Sequence, residues 1–192
     1  MIALPSPPPR LLTVDEFAAL GEDTQARYEL QEGHIVMSPR PAPDHQHCLS
    51  DLQVQLRGQL PADLEALPEV DVDLELAGPG QPGFARAPDL VVVPRAARGR
   101  IRNEGGLMRA RDVTLVVEIV SPGSRRMDTV VKHGEYADAG IPHYWIIELD
   151  GPVSLTACQL AGEFGYVDAA PTRRTFRTKN PFPVRLDLDA LV

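Results

Sequence analysis

The sequence has few of the features that mark secreted, membrane or zinc-ribbon proteins. Its 192 residues include only two cysteines, Cys48 and Cys158, which lie far apart and outside any CxxC spacing. A disulfide framework or a zinc ribbon is therefore not expected. No stretch approaches the ~20 apolar residues needed to span a bilayer. The first ten residues carry neither a basic cluster nor an apolar run, unlike a signal peptide. We expect a cytoplasmic protein with no membrane association.

Positive charge is scarce as well. Nineteen basic residues stand against 27 acidic ones, which gives a net charge of -8. The chain thus lacks the broad basic footprint of a typical nucleic-acid-binding protein, although a local cationic groove can still lie on an acidic protein. Only Lys132 and Lys179 are lysines, and the other 17 basic residues are arginines. A lysine among polar residues is therefore a candidate for a specific role.

The size and composition predict one globular domain. A chain of 21.0 kDa with 43% hydrophobic residues can bury roughly 70% of its unfolded surface without a metal or disulfide staple. Residues 1–10 are proline-rich and predict a flexible N-terminal segment, and residues 11–192 predict a single domain without repeats or linkers.

Hydrophobic periodicity predicts alternating helices and strands. Thr13 and Glu16 have the capping-box spacing that begins a helix. The predicted helices span residues 13–20, 44–60 and 124–139, and the predicted strands span residues 27–30, 35–38, 70–76, 90–93, 113–120 and 143–149. The order of strand, helix and strand over residues 113–149 indicates a packed crossover. The fold class is therefore α/β or α+β, built on a mixed sheet flanked by helices.

Several short motifs resemble known functional sites but do not support those functions here. Gly78, Gly80 and Gly83 match the dinucleotide fingerprint, but prolines inside it lack the amides that a phosphate cradle needs, and a strand is predicted to follow. His45 and His47 lie two apart on a predicted helix, so they face different directions and do not favour a zinc site. No G-x-S-x-G elbow occurs, and neither cysteine has a neighbouring base in sequence.

Two carboxylates stand in apolar strands. Asp89 follows Pro88 at the start of the apolar run 90–93, and Glu118 interrupts the most hydrophobic stretch of the chain. Burial would raise the pKa of Glu118 and cost several kcal/mol unless another group compensates. A divalent cation shared with Asp89 would compensate, and so would an arginine partner.

A lysine follows these acids on the next predicted helix. Asp128, Lys132 and Tyr136 lie four residues apart and share one helical face. Asp128 and Lys132 taken alone could be a surface pair worth ~0.3 to 0.5 kcal/mol. Together with the two acids, they match the groups that metal-dependent phosphodiester hydrolysis needs. In this interpretation Asp89 and Glu118 bind Mg²⁺ or Mn²⁺, and Lys132 orients a water or stabilises the pentavalent phosphate.

This ordered set resembles the putative restriction endonuclease family, a bacterial branch of the PD-(D/E)xK nuclease superfamily. The resemblance covers about residues 11 to 190. The matching positions are 27–39 (RYELQEGHIVMSP), 43–46 (PDHQ), 87–93 (APDLVVV), 116–122 (VVEIVSP), Arg126, Asp128, Lys132 and 136–147 (YADAGIPHYWII).

The resemblance implies a restriction-endonuclease-like core and a site. Asp89 and Glu118 would be metal ligands, with the Ile119 carbonyl as a third and Glu29 as an additional acid. Valine occupies position 120, where the superfamily pattern has lysine. The resemblance therefore gives the role of that lysine to Lys132. For His45, a structural capping role and a catalytic role remain equal alternatives.

The function implied by the resemblance is metal-dependent endonuclease activity, with DNA as the expected substrate. The rival hypothesis is a non-enzymatic nucleic-acid-binding or assembly module that retains the nuclease fold, which the charge of -8 favours. A nuclease for a small or single-stranded substrate is a third alternative, because it needs no broad cationic surface. Cleavage of both strands of a duplex would suit a homodimer.

Overall fold

The fold is described by a computed structural model covering residues 10–21, 27–38, 41–121 and 123–192. Of the predicted flexible segment, residues 1–9 lie outside the described residues. The helices are α1 (Val14–Ala18), α2 (Pro43–Arg57), α3 (Arg95–Glu104) and α4 (His133–Asp138). A π-helical segment, Met127–Lys132, leads directly into α4. In the described part of the chain, no helix combines the length and the apolar character needed to cross a membrane.

The described strands form two sheets and a separate hairpin. The first sheet has the order β2-β1-β5-β4-β7, and the second has the order β11-β10-β9-β8-β6-β3 with β12 paired to β10. The strands are β1 (Arg27–Gln31), β2 (His34–Ser38), β3 (Leu64–Pro68), β4 (Val72–Asp73), β5 (Ala85–Arg86), β6 (Leu90–Pro94), β7 (Met108–Arg109), β8 (Leu115–Val120), β9 (His143–Glu148), β10 (Ser154–Leu160), β11 (Tyr166–Asp168), β12 (Thr172–Arg173), β13 (Thr175–Thr178) and β14 (Val184–Asp187). The last two pair as the hairpin.

The second sheet is mixed, as the sequence predicts. Strand β8 runs antiparallel to β6, with Leu90 opposite Val117, and parallel to β9, with Val116 opposite Tyr144. The π-helical segment and α4 connect β8 to β9, so the predicted strand–helix–strand crossover is present.

The core occupies both faces of the second sheet. Leucines of α2 pack against one face, where Trp145 contacts Phe176 with ring centroids 5.1 Å apart. The opposite face lies under α3 and α4 and includes Val116, Tyr136 and Tyr144. Continuous apolar runs are needed in β6 and β8 because these strands are covered on both faces.

The differences from the predicted elements have local causes. The strand predicted at 70–76 pairs only over Val72–Asp73, because Glu69 and Glu75 adopt left-handed φ angles of 51° and 55° on either side of it. The alternation nevertheless holds, since Val72 and Leu74 are buried. The helix predicted at 44–60 ends at Arg57, immediately before Gly58.

Candidate active site

The candidate site lies where the chain passes from the first sheet into the second. Strand β5 ends at Arg86, and β6 begins at Leu90, only four residues later. Strand β1 lies beside β5, with Leu30 opposite Ala85. This crossing brings Glu29 of the first sheet close to the acids of the second.

The strand register places Asp89 and Glu118 side by side. Leu90 stands opposite Val117 in the antiparallel ladder, so one step further along the ladder pairs Asp89 with Glu118. Opposed residues of a ladder share one face of the sheet, here the face covered by α4. Both side chains are buried, with Glu118 only 2% exposed.

Lys132 joins the acids of the two sheets. Its Nζ lies 2.9 Å from Glu118 Oε1 and 3.0 Å from Glu29 Oε1. Asp128 Oδ1, one turn earlier, is 3.8 Å away. The lysine itself is only 6% exposed. The structure therefore brings together all four side chains that the sequence analysis selected.

Asp89 is surrounded by hydrogen-bond donors. The Ile119 amide donates to its Oδ2 over 2.7 Å, and His45 Nε2 lies 3.1 Å from the same oxygen. Arg27 Nη1 is 3.3 Å from Oδ1, and the Arg27 Nη2 donates to the Ala87 carbonyl. These contacts fix the carboxylate at the edge of β8.

Glu29 is held by a buried arginine. Arg86 is fully buried; its Nη1 donates to Glu29 Oε2 over 3.0 Å, while its Nε and Nη2 bind Glu135 of α4 over 2.6 and 2.7 Å. The Ala87 amide also donates to Glu29 Oε1 over 3.1 Å. Arg86 thus orients Glu29 and anchors α4 to the first sheet.

The environment raises the pKa of Glu118 to about 8. Burial is the main cause, and the neighbouring Asp89, Asp128 and Glu29 add to it, whereas Lys132 opposes it. Tyr136 donates its hydroxyl to Glu118 Oε1 over 2.7 Å. At neutral pH Glu118 is therefore mostly protonated, because a carboxylate at this position would be buried among other acids.

The pKa values of Asp89 and Glu29 are shifted in the opposite direction, whereas burial raises the pKa of Asp128. Burial would raise the pKa of Asp89, but His45, the Ile119 amide and Arg27 outweigh burial and lower it. Burial likewise opposes the lowering at Glu29, where Lys132, Arg86 and the Ala87 amide prevail. Both carboxylates are ionised at neutral pH.

A stability prediction follows for Glu118. An acid whose folded-state pKa lies above its ordinary value of 4.5 contributes stability that is fully present below that pH and is lost as the pH rises toward 8. The Glu118→Gln protein mimics the protonated acid, so in chelator it should melt several degrees above wild type at pH 8.5 and close to wild type at pH 5. Thermal melts across this range test the effect.

The exposed Glu104 on α3 provides the control, because Glu104→Gln should not change the pH dependence. Identical melting curves of the Glu118→Gln protein and wild type at pH 8.5 would show that the carboxylates of the cluster do not destabilise one another.

Two site residues were missed as candidates by the sequence analysis, namely Arg27 and Arg86. Arg27 lies two positions before Glu29 on one strand, so the two side chains share a face. That spacing could have indicated that Arg27 lies at the same site as Glu29. Arg86 had none, because its partners Glu29 and Glu135 lie 57 and 49 residues away in sequence.

His45 contacts the site from the first turn of α2. Its Nε2 faces Asp89, and no described residue hydrogen-bonds to its Nδ1. The side chain therefore does not cap the helix by hydrogen bonding, and its contact with Asp89 places it among the groups that position this acid.

Comparisons with known proteins agree with this architecture. The chain is similar over 94% of its length, with a TM-score of 0.69 and 19% sequence identity, to the crystal structure of a putative nuclease belonging to DUF820 from Anabaena variabilis ATCC 29413, of which 97% is covered. No curated protein matches the chain. The model of the Uma2 family, described as putative restriction endonuclease, matches residues 14–188. Since this match covers most of the chain, the protein belongs to the Uma2 family of nuclease-like proteins.

Proposed function

We propose that this protein is a divalent-metal-dependent endonuclease that hydrolyses phosphodiester bonds of DNA. The observation that carries the proposal is the convergence of Glu29 and Glu118 on the ammonium of Lys132, with Asp89 beside Glu118 in the register of the strand ladder. Membership of a family of nuclease-like proteins supports the reaction class. Three acids and one lysine at a strand edge are the groups that metal-assisted phosphoryl transfer requires.

The donor set fits a hard divalent cation such as Mg²⁺ or Mn²⁺. Carboxylate and carbonyl oxygens are the ligands that such ions prefer. Asp89, Glu118 and Glu29 would bind the ion through carboxylates. A cation would also favour the ionised form of Glu118, whose pKa is raised by burial and, to a smaller extent, by the neighbouring acids.

The backbone of Ile119 supplies a further ligand in this proposal. Its amide points to Asp89, and the N–H and C=O of one strand residue face the same neighbouring strand. Continuing the register beyond Leu90 and Val117 brings Pro88 opposite Ile119. Because proline has no amide to donate, Pro88 leaves the Ile119 carbonyl available to an ion.

Lys132 acts as a cation in the proposed mechanism. Its carboxylate neighbours outweigh burial and raise its pKa above the ordinary value, so Nζ remains protonated and cannot accept a proton from water. It instead donates hydrogen bonds, to the attacking water or to a phosphate oxygen, while Glu29 and Glu118 hold it in place. A bound Mg²⁺ or Mn²⁺ would supply positive charge beside the phosphate and favour ionisation of water.

A second candidate function is a non-enzymatic nucleic-acid-binding or assembly module. The net charge of -8 favours the assembly role. The second observation in its favour is the burial of Glu29, Glu118 and Lys132, whose charged groups are already paired with one another. A substrate phosphate must displace some of these contacts to reach the lysine. This function predicts binding without cleavage.

The test is cleavage of supercoiled plasmid by the wild-type protein in Mg²⁺, in Mn²⁺ and in chelator, beside single-stranded DNA and RNA. Metal-dependent nicking or linearisation of the plasmid is the expected result, and a linear product formed directly would favour a homodimer. Cleavage of RNA alone would overturn the DNA assignment. Calorimetric binding of Mn²⁺ without cleavage of any of the three substrates would favour the non-enzymatic module.

The role of Lys132 makes a separate prediction. Lys132→Met removes the ammonium while keeping much of the side-chain volume, so the cleavage rate should fall about 10²-fold, as for the loss of one charged donor to a transition state. The chain offers a matched control in Lys179→Met, at an exposed position remote in sequence. Equal rates for the Lys132→Met protein and wild type would remove Lys132 from the mechanism.

A further inference from the structure

A second group of metal-ligating side chains lies where the start of α4 meets β10 and β11. His133 is the first residue of α4, Cys158 lies on β10 and Asp168 ends β11. One ligand atom from each of the three, the His133 nitrogen, the Cys158 sulfur and an Asp168 carboxylate oxygen, lies within 4.8 Å of the other two. His133 Nε2 is 2.9 Å from Asp168 Oδ1, and the Cys158 sulfur faces the same carboxylate.

The fold fixes this geometry from three directions. Cys158 and Asp168 stand directly opposite each other in the β10–β11 ladder, so their side chains share one face. The His133 ring packs edge-on against Tyr166 and Tyr144, with ring centroids 5.2 and 6.2 Å away. The aromatic contacts hold the imidazole in the orientation that presents Nε2 to the two strands.

We propose that His133, Cys158 and Asp168 form a binding site for a divalent cation of borderline softness, of which Zn²⁺ is the best fit. Zinc accepts thiolate, imidazole and carboxylate ligands in a tetrahedron, in which the ligand atoms stand roughly 3.2 to 3.8 Å apart. The three ligand atoms lie at most 4.8 Å apart, so side-chain movements on the order of 1 Å would bring them to this arrangement. A thiolate ligand selects zinc over Mg²⁺ and Mn²⁺.

The exposure of the three side chains indicates a site that is open to solvent on one side. Cys158 is buried, with 1% of its surface exposed, whereas the side chains of His133 and Asp168 are 23% and 49% exposed. The cation would therefore enter from the Asp168 side, and the fourth position would face solvent and hold a water.

The site would tie α4 to the β10–β11 edge of the second sheet. His133 directly follows Lys132, so an ion bound here would restrain the junction between the π-helical segment that carries this lysine and α4. Without an ion, the same residues form a histidine–aspartate pair above a buried thiol. The two states differ in whether sulfur is coordinated.

Cobalt(II) is the probe, because a cobalt–thiolate bond gives an intense near-ultraviolet charge-transfer absorption. One equivalent of Co²⁺ added to the metal-free wild-type protein should produce this absorption, and Zn²⁺ should abolish it by displacing the cobalt. The Cys158→Ser protein should lose the absorption. The matched control is Cys48→Ser, which changes the other buried cysteine and should retain it.

Two further variants keep the test decisive should Cys158→Ser fold poorly. His133→Gln and Asp168→Asn change partly exposed side chains, and each should weaken Co²⁺ binding at least tenfold. Asp89→Asn should leave the absorption intact, which separates this site from the proposed nuclease centre. Absence of the absorption in folded wild type, or its persistence in Cys158→Ser, would overturn the proposal.

Discussion

The Asp89→Asn protein is expected to cleave DNA about 10³-fold more slowly than wild type in saturating Mg²⁺. Asparagine keeps the shape of aspartate and can still accept the Ile119 amide, but it removes the negative charge that Arg27 and His45 surround. Metal coordination stabilises the transition state by several kcal/mol, and each ~1.4 kcal/mol lost lowers the rate tenfold. The loss should appear in cleavage and in Mn²⁺ affinity together.

Plasmid nicking rates and Mn²⁺ calorimetry measure both effects on one preparation. The matched control is Asp112→Asn, which changes a partly buried acid paired with Arg100 at 3.1 Å, outside the candidate site. The control should cleave as wild type does. Full cleavage by the Asp89→Asn protein would mean that another acid binds the catalytic ion.

The Arg86→Met protein should be less stable than wild type by about 3 to 5 kcal/mol, the usual cost of leaving buried charges without a partner. Arg86 is fully buried and neutralises both Glu29 and Glu135. Methionine fills much of the volume but leaves two carboxylates with one fewer cation. Urea unfolding at pH 7 measures the difference as a lower midpoint at an unchanged slope.

Two companion variants interpret that loss. Arg98→Met breaks an ion pair with Glu65 whose arginine is half exposed, so it should cost at most about 1 kcal/mol. Adding Glu135→Gln to Arg86→Met should recover part of the lost stability, since one unpaired carboxylate disappears. Equal midpoints for the Arg86→Met and Arg98→Met proteins would show that Arg86 is not needed to neutralise the site.

The sequence predicts the central strands better than their surroundings. Strands β6 and β8 are apolar at nearly every position because both of their faces are buried, and this property is visible without a structure. Strand β3 (Leu64–Pro68) was missed, because its half-buried residues at the sheet edge give no apolar run. Helix α3 was missed for a related reason, since arginines dominate Arg95–Glu104 and only Ala97 is buried.

The residues of the candidate site also differ in how well the sequence predicts them. Asp89 and Glu118 stand out because each is a charge beside or within an apolar run, and Lys132 stands out because the chain has so few lysines. The grouping of Glu29 with them came from the family resemblance. The pairing of Arg86 with two acids depends on how the two sheets meet, which no local pattern encodes.

The bridge formed by Lys132 has a mechanical consequence. Its ammonium binds Glu29 of the first sheet and Glu118 of the second at nearly equal distances. A positive charge added or removed between Glu29 and Glu118 therefore changes how strongly the two sheets are held together, as well as the chemistry of the site. Binding of the proposed divalent cation should therefore change how cooperatively the two sheets unfold. The protein with the cation bound should resist partial unfolding at this junction more than the metal-free protein does.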